Sequence, residues 1–271
     1  MTLRKRSTHR WRIAKLLPTA RQRRRAWRAF NRSQPALQAL IALTLAVVLW
    51  FAVNGVYQVL RKPSELFFPM SGTLNKTPAE TWREYAPLFQ KYSTPTITPE
   101  LLAALAQVEG SGNPIIRTYW RWSFNPKPFD VYRPASSSVG MYQMTDGTFS
   151  EARHYCIRDH GVVQDGAWND WHSCWFNGLY TRVIPAHAVE LTAAYLDRSV
   201  NDALQRHHVN AALPERKLEL AAMIHLCGAG AGDAYVRRGL KFTPGEHCGD
   251  QDAHAYVARV NGMRRVFSAL Q

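Results

Sequence analysis

The chain has 271 residues and a formal net charge of +14, a length between that of one small domain and that of two large ones. Twelve of its 34 Lys and Arg residues lie within residues 1–35, which contain no Asp or Glu. The other 22 basic residues nearly balance the 20 acidic ones. The body of the chain therefore lacks the basic surface of a nucleic-acid-binding domain, and we expect no nucleic-acid partner. Residues 1–35 are interpreted as a cytoplasmic topology determinant that attracts anionic lipid, with a nucleic-acid-binding tail as the alternative.

An uncharged stretch follows, in which residues 36–60 are mostly Leu, Ala, Val and Ile. A helix of this length reaches about 37 Å at ~1.5 Å per residue, which exceeds the roughly 30 Å hydrocarbon core of a bilayer. The stretch predicts a single transmembrane helix, and a buried core helix is the alternative. A cleaved signal peptide is disfavoured, because no small-x-small site closes the apolar run. Since basic residues crowd the N-terminal flank, the positive-inside rule predicts a cytoplasmic N-terminus and export of the remainder.

All four cysteines lie after the apolar stretch, and none forms a CxxC pair. Paired zinc ligands are usually about two to four residues apart, so a structural zinc site is disfavoured. Disulfides in an oxidising compartment are expected instead. Three connectivities are possible, and we predict the sequential pairs Cys156–Cys174 and Cys227–Cys248. The histidines show no metal-binding pattern, and we expect neither a metal nor another cofactor.

Residues 61–97 are polar and contain prolines, which indicates a linker with a short helix at Pro78–Tyr92. A further helix is predicted from Thr98, a suitable N-cap, to Gly110. No run of period-two alternation predicts several strands. Residues 98–271 are therefore expected to form a mainly α domain with at most a small hairpin, and its other helices are predicted at 148–160, 185–207, 214–226 and 252–270.

Glu109 lies on the same helical face as Leu101 and Leu105, since the three are spaced by four residues. Burial disfavours the charged form of a carboxyl group, and so does the negative end of a helix dipole. A carboxylic acid that keeps its proton near neutral pH is what glycosidic bond cleavage requires of its general acid. The alternative is a frayed last turn, which would let Glu109 reach water or an arginine such as Arg117.

Four further segments follow Glu109 in a characteristic order: the serine turn Ser136–Ser138, the sequence Gly140-Met141-Tyr142-Gln143, the sequence Leu226-Cys227-Gly228-Ala229-Gly230, and Tyr256-Val257. This order resembles that of lytic transglycosylases of the soluble-lytic-transglycosylase type. In that family a catalytic Glu ends a helix and is followed by a Ser-rich turn into G-L-M-Q, an A-Y-N-A-G segment and a late Tyr-Val. The resemblance covers about residues 98–270.

The resemblance implies a lysozyme-like helical fold in which Glu109 is the catalytic acid/base and Tyr256 hydrogen-bonds it. It further implies a substrate-binding group made of Ser136, Ser137, Ser138, Gly140, Met141, Tyr142, Gln143 and Tyr256. Gly140 would let backbone approach the glycan, because it has no Cβ. The sequence departs from the family at Cys227 and Gly228, which replace a cleft tyrosine and an asparagine. The aromatic stretch 119–134 is additional, and its rings line a glycan groove or pack over the core.

Together these patterns predict an inner-membrane, single-pass lytic transglycosylase with a periplasmic catalytic domain. It would cleave the MurNAc–GlcNAc bond of the peptidoglycan glycan strand and leave 1,6-anhydromuramic acid. A hydrolytic muramidase is the first alternative, but it needs two carboxylates. The candidates for the second carboxylate are Asp130, Asp146 and Asp170, and no sequence pattern favours any of them. The second is a non-catalytic peptidoglycan-binding scaffold protein of the envelope. The candidate partners besides glycan are the inner membrane, through residues 36–60, and an envelope-spanning secretion or conjugation machine.

Overall fold

The computed structural model describes residues 19–62, 65–66, 72–116, 118–124, 127–170, 172–209 and 211–271. The chain divides into two compact units, Met1–Tyr57 and Gln58–Gln271. The first eighteen residues of the basic segment, and Arg117, lie outside the described residues. Within the first unit, helix α1 (Ala20–Arg32) begins with a capping box between Thr19 and Gln22.

Helix α2 (Pro35–Arg61) contains the predicted apolar segment. It has 27 residues and therefore a length of about 40 Å. Its most apolar window has a mean hydropathy of 2.4 and is not buried. Among the described residues it is the one helix long and apolar enough to cross a membrane, as an anchor or a signal segment would. The predicted N-terminal apolar helix is therefore confirmed in its length and composition.

Two capped helices follow. Helix α3 (Pro78–Tyr92) has the predicted bounds and starts with a capping box between Thr77 and Glu80. It buries Tyr85 and Phe89 in the hydrophobic core, so it belongs to the second compact unit and is not part of a linker. In helix α4 (Pro99–Gly110) the predicted N-cap, Thr98, accepts a hydrogen bond from the backbone of Leu101.

Three short antiparallel hairpins occur among the described residues. They pair β1 (Trp120–Trp122) with β2 (Tyr132–Pro134), β3 (Tyr155–Arg158) with β4 (Gly161–Gln164), and β5 (His247–Cys248) with β6 (Gln251–Asp252).

The predicted helix at 148–160 is wrong in its second half. Helix α5 (Asp146–Ala152) ends early, and the chain continues into the β3–β4 hairpin. Asp159 and His160, which connect these strands, have φ of 47° and 61°, the positive values that favour a two-residue hairpin turn. β-Branched and aromatic residues on both sides stabilise strands in preference to helix.

Helices surround α4 on several sides, and residues 101–106 of α4 are completely buried. The helices α3, α6, α7 and α9 pack with it into one hydrophobic cluster. The domain is therefore mainly helical, as predicted. The remaining α-helices of the described chain are α6 (Pro185–Arg206), α7 (Pro214–Cys227), α8 (Ala229–Arg237) and α9 (Ala253–Ser268), and a short 3-10 helix spans Trp175–Leu179. Of the four α-helices, α8 is not predicted by the sequence.

Both predicted disulfides are confirmed. Cys156 on β3 bonds Cys174, and Cys227 at the end of α7 bonds Cys248 on β5. Their Cα atoms are 5.6 Å and 5.3 Å apart, within the usual range for this bond. Two disulfides are consistent with a domain that folds in an oxidising compartment.

Candidate active site

Glu109 occupies the last turn of α4 and lines an open cleft. The next residues end the helix, because Ser111 adopts the left-handed conformation with φ of 49°. The Glu109 side chain is 14 % exposed, so it is largely withdrawn from water but accessible from the cleft. The cleft has a volume of about 690 Å³, and α9 and β6 supply its other wall, with Gln251, Tyr256, Arg259, Gly262, Met263 and Val266.

Tyr256 on α9 holds one oxygen of this carboxyl group. Its hydroxyl donates a hydrogen bond of 2.5 Å to Glu109 Oε1. Burial raises the pKa of Tyr256 well above its usual value, and the neighbouring Glu109 carboxyl raises it further. The phenol therefore remains a donor throughout the physiological pH range. Among the described residues, no side chain or backbone group donates a hydrogen bond to the other oxygen, Oε2.

His225 on α7 lies on the other side of the same oxygen. Its Nε2 is 3.6 Å from Glu109 Oε1, and its side chain is 11 % exposed. Burial lowers the pKa of His225, while the Glu109 carboxyl and a hydrogen bond to the backbone of Tyr142 act in the opposite direction. The imidazole is thus neutral near pH 7. Protonation at lower pH would place a cation beside Glu109.

Acidification is expected to destabilise the domain through His225. The unfolded chain takes up this proton near pH 6.5, whereas the folded domain takes it up only at a lower pH. The free energy of unfolding that neutral His225 contributes is fully present above the pKa of His225 in the unfolded chain. It is lost as the pH falls through the lower pKa of His225 in the folded domain. Between pH 7.5 and 5.0, wild-type protein should therefore lose free energy of unfolding relative to a His225→Gln variant. Thermal melts of both full-length proteins in detergent at the two pH values test this, and a stability difference that does not change with pH would contradict it.

The glycine after Glu109 allows the Gly140–Gln143 turn to approach α4. A Cβ on Gly110 would lie 2.8 Å from the carbonyl oxygen of Met141 and 2.9 Å from its Cα. Backbone atoms of the turn and of the helix end are therefore in direct contact. This contact holds the turn beside Glu109, and any larger residue at position 110 would displace it.

The turn itself is closed by short polar contacts. Gln143 has a φ of 45°, and its backbone and side-chain amides both donate to the carbonyl of Gly140 at 2.9 Å. Gly140, with φ of 79°, packs against Arg182, whose carbonyl oxygen a Cβ on Gly140 would overlap. The Met141 and Tyr142 side chains are buried in the core. They contribute to the site through their backbone atoms and by supporting the turn.

The serine turn lines a second depression, separate from the cleft at Glu109. Ser136 and Ser137 border it together with the cations Arg61, Lys62 and Arg133. Ser136 and Ser138 bond each other through their hydroxyl groups at 2.6 Å. In this structure the serines stabilise their own turn.

Arg182 fixes the serine turn to the segment that follows it. Its guanidinium donates to the carbonyls of Ser137 and Met144 at 3.0 and 2.8 Å and to the Asp146 carboxylate at 2.7 Å. Asp146 is therefore bonded to Arg182 and does not line the cleft. Asp130 likewise pairs with Arg61, and Asp170 accepts the backbone N–H of His172.

The sequence matches no protein-family model and no curated protein. Among the residues that the structure describes, Glu109 is the single carboxylate in the cleft, and no group of three His, Cys, Asp or Glu side chains is arranged as metal ligands.

Sequence reasoning missed three polar groups of the site. His225 gave no signal, because a single histidine on a helix is indistinguishable from a core residue. Arg259 could have been found, since it follows Tyr256 by three positions and shares its helical face. Its guanidinium donates to Gln251 at 2.7 Å and lies 5.7 Å from the Tyr256 ring centroid. Arg259 and Gln251 thus present a cation and an amide on the wall opposite Glu109.

Proposed function

We propose that the second compact unit has a lysozyme-like fold and is a peptidoglycan lytic transglycosylase. The observation that carries the proposal is the position of Glu109: an acid at a helix end, largely buried, open to a cleft and hydrogen-bonded by Tyr256. The family resemblance of the Glu109, Gly140–Gln143 and Tyr256 segments points to the same chemistry. The mainly helical core with short hairpins is compatible with this fold.

The reaction uses one carboxyl group twice. Protonated Glu109 gives its proton to the glycosidic oxygen between N-acetylmuramic acid and N-acetylglucosamine, and the bond from C1 to that oxygen breaks. The Glu109 carboxylate then accepts the proton of the muramyl 6-hydroxyl, whose oxygen bonds C1 and closes the 1,6-anhydro ring. Glu109 ends the cycle protonated, and no water is consumed.

Tyr256 is a positioning residue in this scheme. Its hydrogen bond to Oε1 holds the carboxyl group and stabilises the carboxylate between the two proton transfers, since hydrogen bonds to charged groups contribute about 1.5–3 kcal/mol. Oε2 carries the transferred proton. Arg259 and Gln251 offer a cation and an amide to the carboxylates and N-acetyl groups that peptidoglycan presents.

The single carboxylate favours transglycosylation over hydrolysis. Hydrolysing glycosidases place a second carboxylate roughly 5–9.5 Å from the acid, as a nucleophile or as a base for water. Asp130, Asp146 and Asp170 are bonded elsewhere, and none of them lines the cleft with Glu109. A reaction in which the substrate supplies its own nucleophile does not need a second group.

Helix α2 serves as the anchor of the enzyme in the inner membrane, with the catalytic unit in the periplasm. The basic segment before the helix favours this orientation, and the two disulfides fit the oxidising periplasm. The glycan strand is the substrate. An envelope-spanning secretion or conjugation machine, which must pass through the cell wall, is the kind of assembly that such an anchored enzyme would serve.

Mass spectrometry of the fragments that the purified full-length protein releases from sacculi tests the reaction. Transglycosylation leaves 1,6-anhydromuramic acid ends, because the C6 oxygen replaces the leaving sugar. Fragments with reducing muramic acid ends would instead indicate a hydrolytic muramidase. Unchanged sacculi, under conditions in which the protein binds them, would support a non-catalytic scaffold protein and contradict the proposal.

A further inference from the structure

The β1–β2 hairpin presents an unusual amount of aromatic surface to solvent. Tyr119 and Trp122 are 68 % and 62 % exposed, and Phe124 is fully exposed. Trp122 also packs against Tyr132 on the partner strand, with ring centroids 4.7 Å apart. Single exposed apolar residues are common on soluble proteins, but three large rings within six residues form a patch that indicates an interaction surface.

Four side-chain contacts attach this hairpin and the segment just before it to the end of α2 and the residues just after it. Gln58 donates to the carbonyl of Phe129 at 2.6 Å, and Arg61 lies 3.4 Å from the Asp130 carboxylate. Lys62 reaches the Thr118 hydroxyl at 3.4 Å, and the Trp120 indole donates to Glu65 at 2.8 Å. The aromatic hairpin is thus held where the chain leaves its apolar helix.

The apolar part of α2 ends at Leu60, immediately before Arg61 and Lys62. Where such a helix crosses a bilayer, this boundary lies at the lipid headgroups. Tryptophan and tyrosine are enriched at that level, because their rings are apolar and their edges can hydrogen-bond water and headgroups. The hairpin also carries Arg121, Lys127 and Arg133, and cations of this kind are attracted to lipid phosphates.

We propose that the β1–β2 hairpin binds the headgroup layer of the membrane that α2 crosses, with Trp122 and Phe124 inserted among the lipids. The hairpin then acts as a second membrane contact, which sets the height and tilt of the domain above the bilayer. The occupant of the aromatic patch is lipid, because the hairpin is bonded to residues at which the apolar helix ends and its cations match phosphate. The inference depends on α2 being a membrane anchor and does not depend on glycan cleavage.

Fluorine NMR of the full-length chain in lipid nanodiscs tests this contact. All nine tryptophans are replaced biosynthetically by fluorotryptophan, and nanodiscs of phosphatidylethanolamine and phosphatidylglycerol are prepared with and without a headgroup nitroxide lipid. A Trp122→Phe variant identifies the Trp122 resonance by its loss. The matched control is Trp168, which is 82 % exposed on another loop and is identified by Trp168→Phe.

The nitroxide lipid is expected to abolish the Trp122 resonance while that of Trp168 persists. Retention of the Trp122 signal would overturn the proposal and leave a protein partner as the occupant of the patch. Equal loss of both signals would also overturn it, since the contact would then not be specific to the hairpin. The other tryptophan resonances report whether the two variants are folded. Cleavage of sacculi by the same samples is measured separately. Failure of the proposed enzymatic activity is therefore distinguishable from failure of the proposed membrane contact.

Discussion

Replacing Glu109 with glutamine is expected to lower the rate of glycan cleavage by about 10³-fold, within the range that general acid–base catalysis contributes. Glutamine has nearly the size of glutamate and can still accept the Tyr256 hydrogen bond, but it has no proton to give to the leaving oxygen. Because the side chain is 14 % exposed, removing its ionisable group should leave the melting temperature unchanged or slightly raised. Release of 1,6-anhydro fragments from purified peptidoglycan measures the effect.

The matched control is Glu100→Gln, in the first turn of the same helix. It replaces the same type of side chain with the same amide at the opposite end of α4 and should cleave at the wild-type rate. If Glu109→Gln cleaves as fast as wild type, the carboxyl group is not the acid of the reaction. Lower stability with intact activity would show that Glu109 has a structural role only.

The helix bounds are largely predictable, because local residues set them. Thr98 caps α4 through its own hydroxyl, and prolines occupy the first positions of α3, α6 and α7. Each of these signals acts within one turn of the helix end, and each has a defined physical cause. The predicted bounds of α3, α4, α6, α7 and α9 accordingly agree with the structure within one or two residues.

The strands and α8 were not predictable by the same means. A strand of three residues is too short to show a period-two pattern. Strand β3 is joined by the disulfide of Cys156 to Cys174, which lies eighteen residues further along the chain. Helix α8 contains glycines that disfavour a helix in isolation. Gly232 is accommodated because it packs directly against Ile224 of α7, where a Cβ would overlap the isoleucine side chain. Tertiary contacts decide these elements.

The candidate site likewise combines features that a local sequence pattern predicts with features that depend on tertiary contacts. The face of α4 that carries Glu109 follows from helical periodicity, and the bond from Tyr256 was expected only through the family resemblance. The approach of His225 to Glu109 joins two helices whose residues are far apart in sequence, so no local pattern contains it. The separation of the serine depression from the acid cleft likewise depends on how Arg182 and the last turn of α2 pack around Ser136 and Ser137.

Replacing Gly140 with alanine is expected to destabilise the domain by about 3 kcal/mol. A left-handed conformation costs a residue with a Cβ roughly 1–2 kcal/mol, and overlap with the Arg182 carbonyl forces a backbone shift that costs about 1–3 kcal/mol. For a unit of this size the melting temperature should fall by roughly 6–12 °C. Thermal denaturation of the full-length protein, followed by circular dichroism, measures the change.

Gly147→Ala is the control for this substitution. Gly147 lies in the first turn of α5 and has no atom within 4 Å of a Cβ position. Alanine there should leave the melting temperature unchanged or raise it, since glycine in a helix costs about 0.5–1 kcal/mol relative to alanine. A decrease in the melting temperature of both variants would mean that the loss of stability in Gly140→Ala is not specific to the Gly140–Gln143 turn.

The same pair of variants separates two roles of Gly140. If the glycine serves only to let glycan approach the backbone, alanine will weaken substrate binding and raise KM while the melting temperature remains that of wild type. If its role is to pack against Arg182, the melting temperature falls. Cleavage measured well below the transition then falls mainly in kcat, because the displaced turn contacts Gly110 and shifts Glu109. The clash with a backbone carbonyl, which cannot rotate away as a side chain can, favours the second outcome.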